Sequence, residues 1–194
     1  VSDSPTGPFV DAIVKPLVTD DMTPNGARGW WNDIDPTVLI DDDGQAWLCW
    51  GNGTCFLAKL KSNMIELDGD IEVINVPKYV EGPWLHKRGD MYYLTYASMG
   101  KGKETIAYAT ASSMKGPWTP QGELTGMAEN SFTIHPGIIE FNKKWYLFYH
   151  NATLTINGRA GAIGRRSVCV DELQYAPDGK MIYVNQTKEG VAKK

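Results

Sequence analysis

With 194 residues, 42% of them apolar, the chain can bury one sizeable core and is short for two. A formal net charge of −4, with no basic cluster tracking an aromatic platform, argues against nucleic acid or an anionic membrane surface as a partner. No apolar run approaches the ~20 residues of a membrane span, and the three cysteines, Cys49, Cys55 and Cys169, lack metal-ligand spacing and read as free thiols, buried where they sit in strand-like runs.

The chain opens Val1-Ser2-Asp3, with neither an initiator Met nor a signal peptide, so the compartment, bacterial cytoplasm or secreted, is left open. Ser4-Pro5-Thr6-Gly7-Pro8-Phe9 resembles Ser113-Met114-Lys115-Gly116-Pro117-Trp118 downstream. The later copy follows the start of its repeat by some thirty residues. Residues 1–30 therefore read as the tail of an earlier repeat, with the chain beginning part-way through it.

From residue 33 onward a unit recurs three times: proline, apolar strand, polar turn, aromatic strand. Asp35-Pro36-Thr37-Val38-Leu39-Ile40 leads to Trp47-Leu48-Cys49-Trp50; Glu81-Gly82-Pro83-Trp84-Leu85 leads to Tyr92-Tyr93-Leu94-Thr95-Tyr96; His135-Pro136-Gly137-Ile138-Ile139 leads to Trp145-Tyr146-Leu147-Phe148-Tyr149. Asp42-Asp43-Gly44, Arg88-Gly89-Asp90, Asn142-Lys143 and Pro177-Asp178-Gly179 each separate two such runs and predict hairpins. The runs are rich in β-branched and aromatic residues, with no sustained 3.6-residue period. The proline-to-proline spacings of 47 and 53 residues leave room for four strands each, the range of a β-propeller blade. The expected fold is all-β, a propeller of which this chain supplies about three blades, at about 33–80, 81–130 and 133–190, plus part of a fourth. Three blades do not close a ring, so a complementing chain, a homo-oligomer or an unpaired edge is expected.

In a propeller the first strand of each blade lines the central channel. Asp35, Glu81 and His135 open three such strands and should meet at one mouth. Two carboxyls facing a common pocket are the requirement of glycoside hydrolysis. Trp31 and Trp84 lie close enough in sequence to offer a sugar platform there, Trp84 slightly ahead, with core packing the equal or better reading for either one alone. Asp41-Asp42-Asp43-Gly44 and Lys101-Gly102-Lys103-Glu104 read as a solvated turn and a solvated loop, and His86 and His150 as structural residues.

Ile34-Asp35-Pro36-Thr37 with Asp41-Asp42-Asp43-Gly44-Gln45-Ala46-Trp47-Leu48, Glu81-Gly82-Pro83-Trp84-Leu85-His86-Lys87, Phe132-Thr133-Ile134-His135-Pro136-Gly137 and Arg165-Arg166-Ser167-Val168-Cys169-Val170-Asp171 together resemble, in order, segments of glycoside hydrolase family 43. The resemblance implies a five-bladed propeller and an inverting glycosidase, an α-L-arabinofuranosidase or β-xylosidase acting on arabinoxylan, arabinan or xylo-oligosaccharides. It implies Glu81 as general acid, Asp35 as the residue that raises and orients it, and Arg166 as a substrate contact. It also implies a calcium ion near His135, reached through water, and no organic cofactor. That family's general base is an aspartate two blades before the Asp35 equivalent. Asp3, Asp11, Asp20, Asp21 and Asp33 are candidates only in name, so no general base is expected in this chain. A catalytically inactive sugar-binding propeller, or a fragment needing a complementing N-terminal polypeptide, is the alternative.

Overall fold

The computed structural model describes residues 1–23 and 32–191. Among them are eleven strands and no helix. The strands are β1 (Thr37–Ile40), β2 (Ala46–Trp50), β3 (Cys55–Leu60), β4 (Glu72–Ile74), β5 (Tyr79–Arg88), β6 (Met91–Met99), β7 (Glu104–Ala111), β8 (Thr119–Thr125), β9 (Gly137–Phe141), β10 (Lys144–Asn151) and β11 (Ser167–Leu173). They form three antiparallel meanders, β1–β4, β5–β8 and β9–β11. Each sequence-predicted hairpin turn is where it was expected. Asn142 and Lys143, both at positive φ (50° and 62°), make the two-residue turn between β9 and β10 whose twist matches the strands.

Period-2 alternation explains how the sheets stack. In β2, Trp47 and Cys49 face the second sheet, joining Leu57, Leu85, Leu94 and Tyr96 in one core. Leu48 and Trp50 face the other way and pack with Phe56 against Leu17 and Val18 of the N-terminal segment. A third core, with Tyr93, Ile106, Leu124, Ile138, Leu147 and Tyr149, fills the space between the second and third sheets. Cys49 and Cys55 are buried free thiols whose Sγ atoms lie 3.5 Å apart, while Cys169 is only half-buried.

The N-terminal repeat of the Ser113–Trp118 segment has the same local form. Gly7 donates its N–H to Ser4 O (3.0 Å) as Gly116 does to Ser113 O (2.9 Å), both glycines at φ near +80°. The third sheet holds three strands where the second holds four. Beyond β11 the chain turns at residues 177–179, and Val184 N–H then bonds to Leu124 O on the second sheet (2.8 Å).

Candidate active site

The strand entrances bring the three repeat-opening residues together. Gly51 N–H donates to Ile34 O (2.9 Å) and Asn52 N–H to Asn32 O (3.0 Å), pinning the approach to β1 against the exit of β2. That leaves Asp35, at φ 56°, pointing into the site. Glu81 sits in β5 between two register shifts against β6, an irregularity that re-aims its side chain. Gly82 follows at φ 58°, and a Cβ there would stand 2.9 Å from His135 Cγ. Glycine is required both by the backbone and by the imidazole that rests on it.

The donor and acceptor atoms of Asp35, Glu81 and His135 all lie within 4.8 Å of one another. His135 Nε2 is 2.9 Å from Glu81 Oε1, and Nδ1 is 3.8 Å from Asp35 Oδ2. Asn52 Nδ2 donates to Glu81 Oε2 at 2.5 Å. The hydrogen bond from His135 holds the Glu81 carboxyl below its ordinary range, against the effect of burial. For His135, burial alone would favour the neutral ring, but the bond to Glu81 and the charges of Asp35 and Glu81 outweigh it and raise its pKa. Asp35 is raised, first by burial and also by the Glu81 charge, against His135 and the Gly82 N–H. Its Oδ2 is buried without a hydrogen-bond partner.

A profile described as "Glycosyl hydrolases family 43" matches residues 1–181. The chain belongs to this family. It is 34% identical to a protein named β-D-galactofuranosidase from Aspergillus niger, over 96% of this chain and 54% of that one. An arabinoxylan arabinofuranohydrolase from Bacillus subtilis is 30% identical over 98% of this chain and 42% of its own length. Among solved structures, an arabinoxylan arabinofuranohydrolase from Bacillus subtilis in complex with cellotetraose superposes with a TM-score of 0.82 at 28% identity, covering 98% of this chain and 44% of that one. An α-L-arabinofuranosidase from Clostridium thermocellum superposes at 0.80 with 29% identity, over 99% and 66%. The chain thus spans about half the length of these relatives. Its fold is the family 43 five-bladed propeller type, of which it supplies part.

The remaining sequence-predicted residues divide. Arg166 is near enough for its charge to lower Asp35, and it borders a cleft of about 510 Å³ with Leu154, Ile156, Asn157, Arg159 and Ser167. Arg165, its neighbour, donates to Ala160 O instead (2.5 Å). Trp84, read as a sugar platform or a core residue, is partly buried. Its indole N–H donates to Ile138 O (2.9 Å) and its ring packs against the core between the second and third sheets. Trp31 lies outside the described residues. Asp33 accepts from Trp50 Nε1 (2.8 Å), and Asp11 accepts from the backbone of its own turn.

Direct calcium ligation does not suit this donor set. Calcium takes six to eight oxygens, whereas the cluster offers two carboxylates and an imidazole, and His135 Nε2 and Glu81 Oε1 already bond each other.

Three neighbours of the site escaped the sequence reading. Asn52 lies four residues past Leu48 in the repeat frame, the place held by Asn151 in the third copy, and that equivalence was the available signal. His150, read as structural, stands edge-on to His135 at 5.6 Å and bonds Thr133 Oγ1 (3.1 Å); burial drives its pKa down to about 4. Glu104, placed by sequence in a solvated loop, is buried (6% exposed). The same loop reading holds for the turn at Asp41 only in part, since Asp41 accepts from Lys87 (2.7 Å) and Tyr92 (2.5 Å) of the next sheet.

Proposed function

We propose that this chain carries the acid half of an inverting glycoside hydrolase that releases arabinofuranosyl units from arabinoxylan or arabinan. The observation that carries it is the meeting of Asp35, Glu81 and His135 at the strand entrances. Glu81 is the general acid that protonates the leaving oxygen. Asp35, with its unpartnered buried oxygen and like charge, opposes ionisation of Glu81 once substrate excludes water. Arg166 meets the substrate. The names of the two relatives at 30% identity or more, both acting on furanosides, favour arabinofuranose over the xylose of the family's xylosidases.

The base comes from outside this chain, on the same polypeptide or a complementing one, about 6.5–9.5 Å from Glu81 across the sugar. A calcium ion, if the family's ion is taken up, would be held near His135 through water. One relative of known structure is described as a calcium-free form bound to xylotriose. The alternative, an inactive sugar-binding propeller, is favoured by the hold of His135 on Glu81 as an acceptor-only carboxylate.

The decisive experiment compares the 194-residue chain with the full-length protein on aryl arabinofuranosides and xylosides, alongside Glu81→Gln. The chain alone should hydrolyse neither. In the full-length protein Glu81→Gln should lose about 10²-fold or more on poor leaving groups and far less on activated aryl glycosides. Equal loss on both removes the acid assignment. A full-length protein that binds arabino-oligosaccharides in calorimetry and never turns them over establishes the alternative.

A further inference from the structure

Glu104 opens β7 at the end of the loop from Lys101, and it grips the segment leading to His135 in two ways. Its backbone N–H donates to Phe132 O (3.0 Å), and its carboxyl Oε2 accepts the N–H of Ile134 (3.0 Å), a residue with no exposed surface. The Glu104 and Glu81 carboxyls are close enough for the charge of each to act on the other. Among the described residues no lysine or arginine pairs with it. A buried acid without a cation is costly when ionised and is relieved by keeping its proton. The charged groups facing it are Glu81 on β5, His135 before β9 and, one contact further, Asp35, His150 and Arg166.

We propose that Glu104 is a positioning residue of the acid: it sets His135 through Ile134 and donates a hydrogen bond to Glu81, so that the two carboxyls hold one proton between them. This rests on the assignment of Glu81 as general acid. The step balances simply. The Glu104 proton passes to Glu81, Glu81 passes it to the leaving oxygen as the glycosidic bond breaks, and the pair takes one proton back from water. Burial, which pushes the Glu104 carboxyl up to about 7, is consistent with this proton being held near neutrality. Two acids at one site with pKa values driven apart are the usual mark of such sharing.

The test uses the full-length protein with Glu81→Gln, Glu104→Gln and Glu104→Ala, assayed over aryl arabinofuranosides of graded leaving-group pKa and across pH. Glu104→Gln keeps an oxygen for Ile134 and an N–H for Glu81 but carries no proton to share. It should lose about tenfold or more on poor leaving groups relative to activated ones, and the basic limb of kcat/KM should move to lower pH by about one unit. A structural role would leave both unchanged in Glu104→Gln and damage only Glu104→Ala. That outcome, with Glu81→Gln behaving as an acid variant, overturns the inference alone; equal loss on all leaving groups for Glu81→Gln overturns the acid assignment and the inference together. A second measurement needs no turnover. In the 194-residue chain, carboxyl carbon-13 NMR should find one glutamate titrating near neutrality that vanishes in Glu104→Gln and whose loss moves the Glu81 signal. A Glu104 titrating in the ordinary carboxyl range overturns the proposal.

Discussion

At the scale of single residues, Gly82 decides whether the site forms. It occupies a left-handed conformation directly under the His135 ring. The positive φ alone costs a side chain about 1–2 kcal/mol, and the 2.9 Å approach of a Cβ to His135 Cγ forces the imidazole to shift. Gly82→Ala should lower the unfolding free energy in urea by at least that amount, and an NMR titration of the variant should no longer find His135 raised. A His135 titration still raised in the variant as in the wild type contradicts this account of the site. The Glu81–His135 pair has its own pH signature. His135 is raised from 6.5, so its share of the stability is full below that value and is lost as pH climbs through the folded one. Glu81 is lowered from 4.5, so its share is present above that value and lost as pH falls through its folded one. The pair therefore stabilises most between the two. The stability difference between wild type and Glu81→Gln should be greater at pH 5.5 than at pH 9, and a difference that does not fall toward pH 9 rules out the ion pair.

Between elements, the third sheet depends on one buried carboxylate. Asp171 on β11, 5% exposed, accepts from Tyr149 Oη on β10 (2.6 Å) and from the N–H (3.1 Å) and hydroxyl (2.5 Å) of Thr187. It ties the C-terminal segment to a sheet that lacks a fourth strand. Hydrogen bonds to a charged group contribute about 1.5–3 kcal/mol each, so Asp171→Ala should cost about 3 kcal/mol in denaturant unfolding and increase proteolysis between residues 184 and 191. Unchanged protection of that segment refutes the role. The strands themselves were legible in sequence, because turn residues and aromatic alternation are local signals. The Asp35–Glu81–His135 meeting was legible too, since a repeat frame converts distant positions into equivalent ones. Glu104 was not, because its burial comes from the approach of the 132–134 segment of the next repeat, and Lys-Gly-Lys-Glu reads locally as a solvated turn. Sequence left Trp84 open for the converse reason: proximity to Glu81 does not say which side of a bulged strand a ring leaves from.

For the whole molecule, surface area is the telling quantity. The chain exposes 11756 Å² at 21.5 kDa, whereas a closed monomer of that mass exposes about 9,200 Å². Part of the excess lies on the outer face of the third sheet, where Ile139 (51%), Phe141 (62%) and Phe148 (39%) stand exposed beside Tyr146 and Val170. The inner face of the same sheet packs in the core with Ile138 and Leu147, so alternation along β9 and β10 has produced a second apolar face, bordered by Val191 and otherwise exposed among the described residues. Contiguous apolar patches of this kind drive association. In a solution of this chain alone the partner at hand is another copy, so sedimentation velocity should find concentration-dependent self-association. Phe141→Lys with Phe148→Lys should return the chain to monomer without changing its unfolding midpoint by more than a small amount, since neither ring is in a core cluster. A wild-type chain that stays monomeric throughout, or a double variant that still associates, shows that this face is not what the excess surface is for.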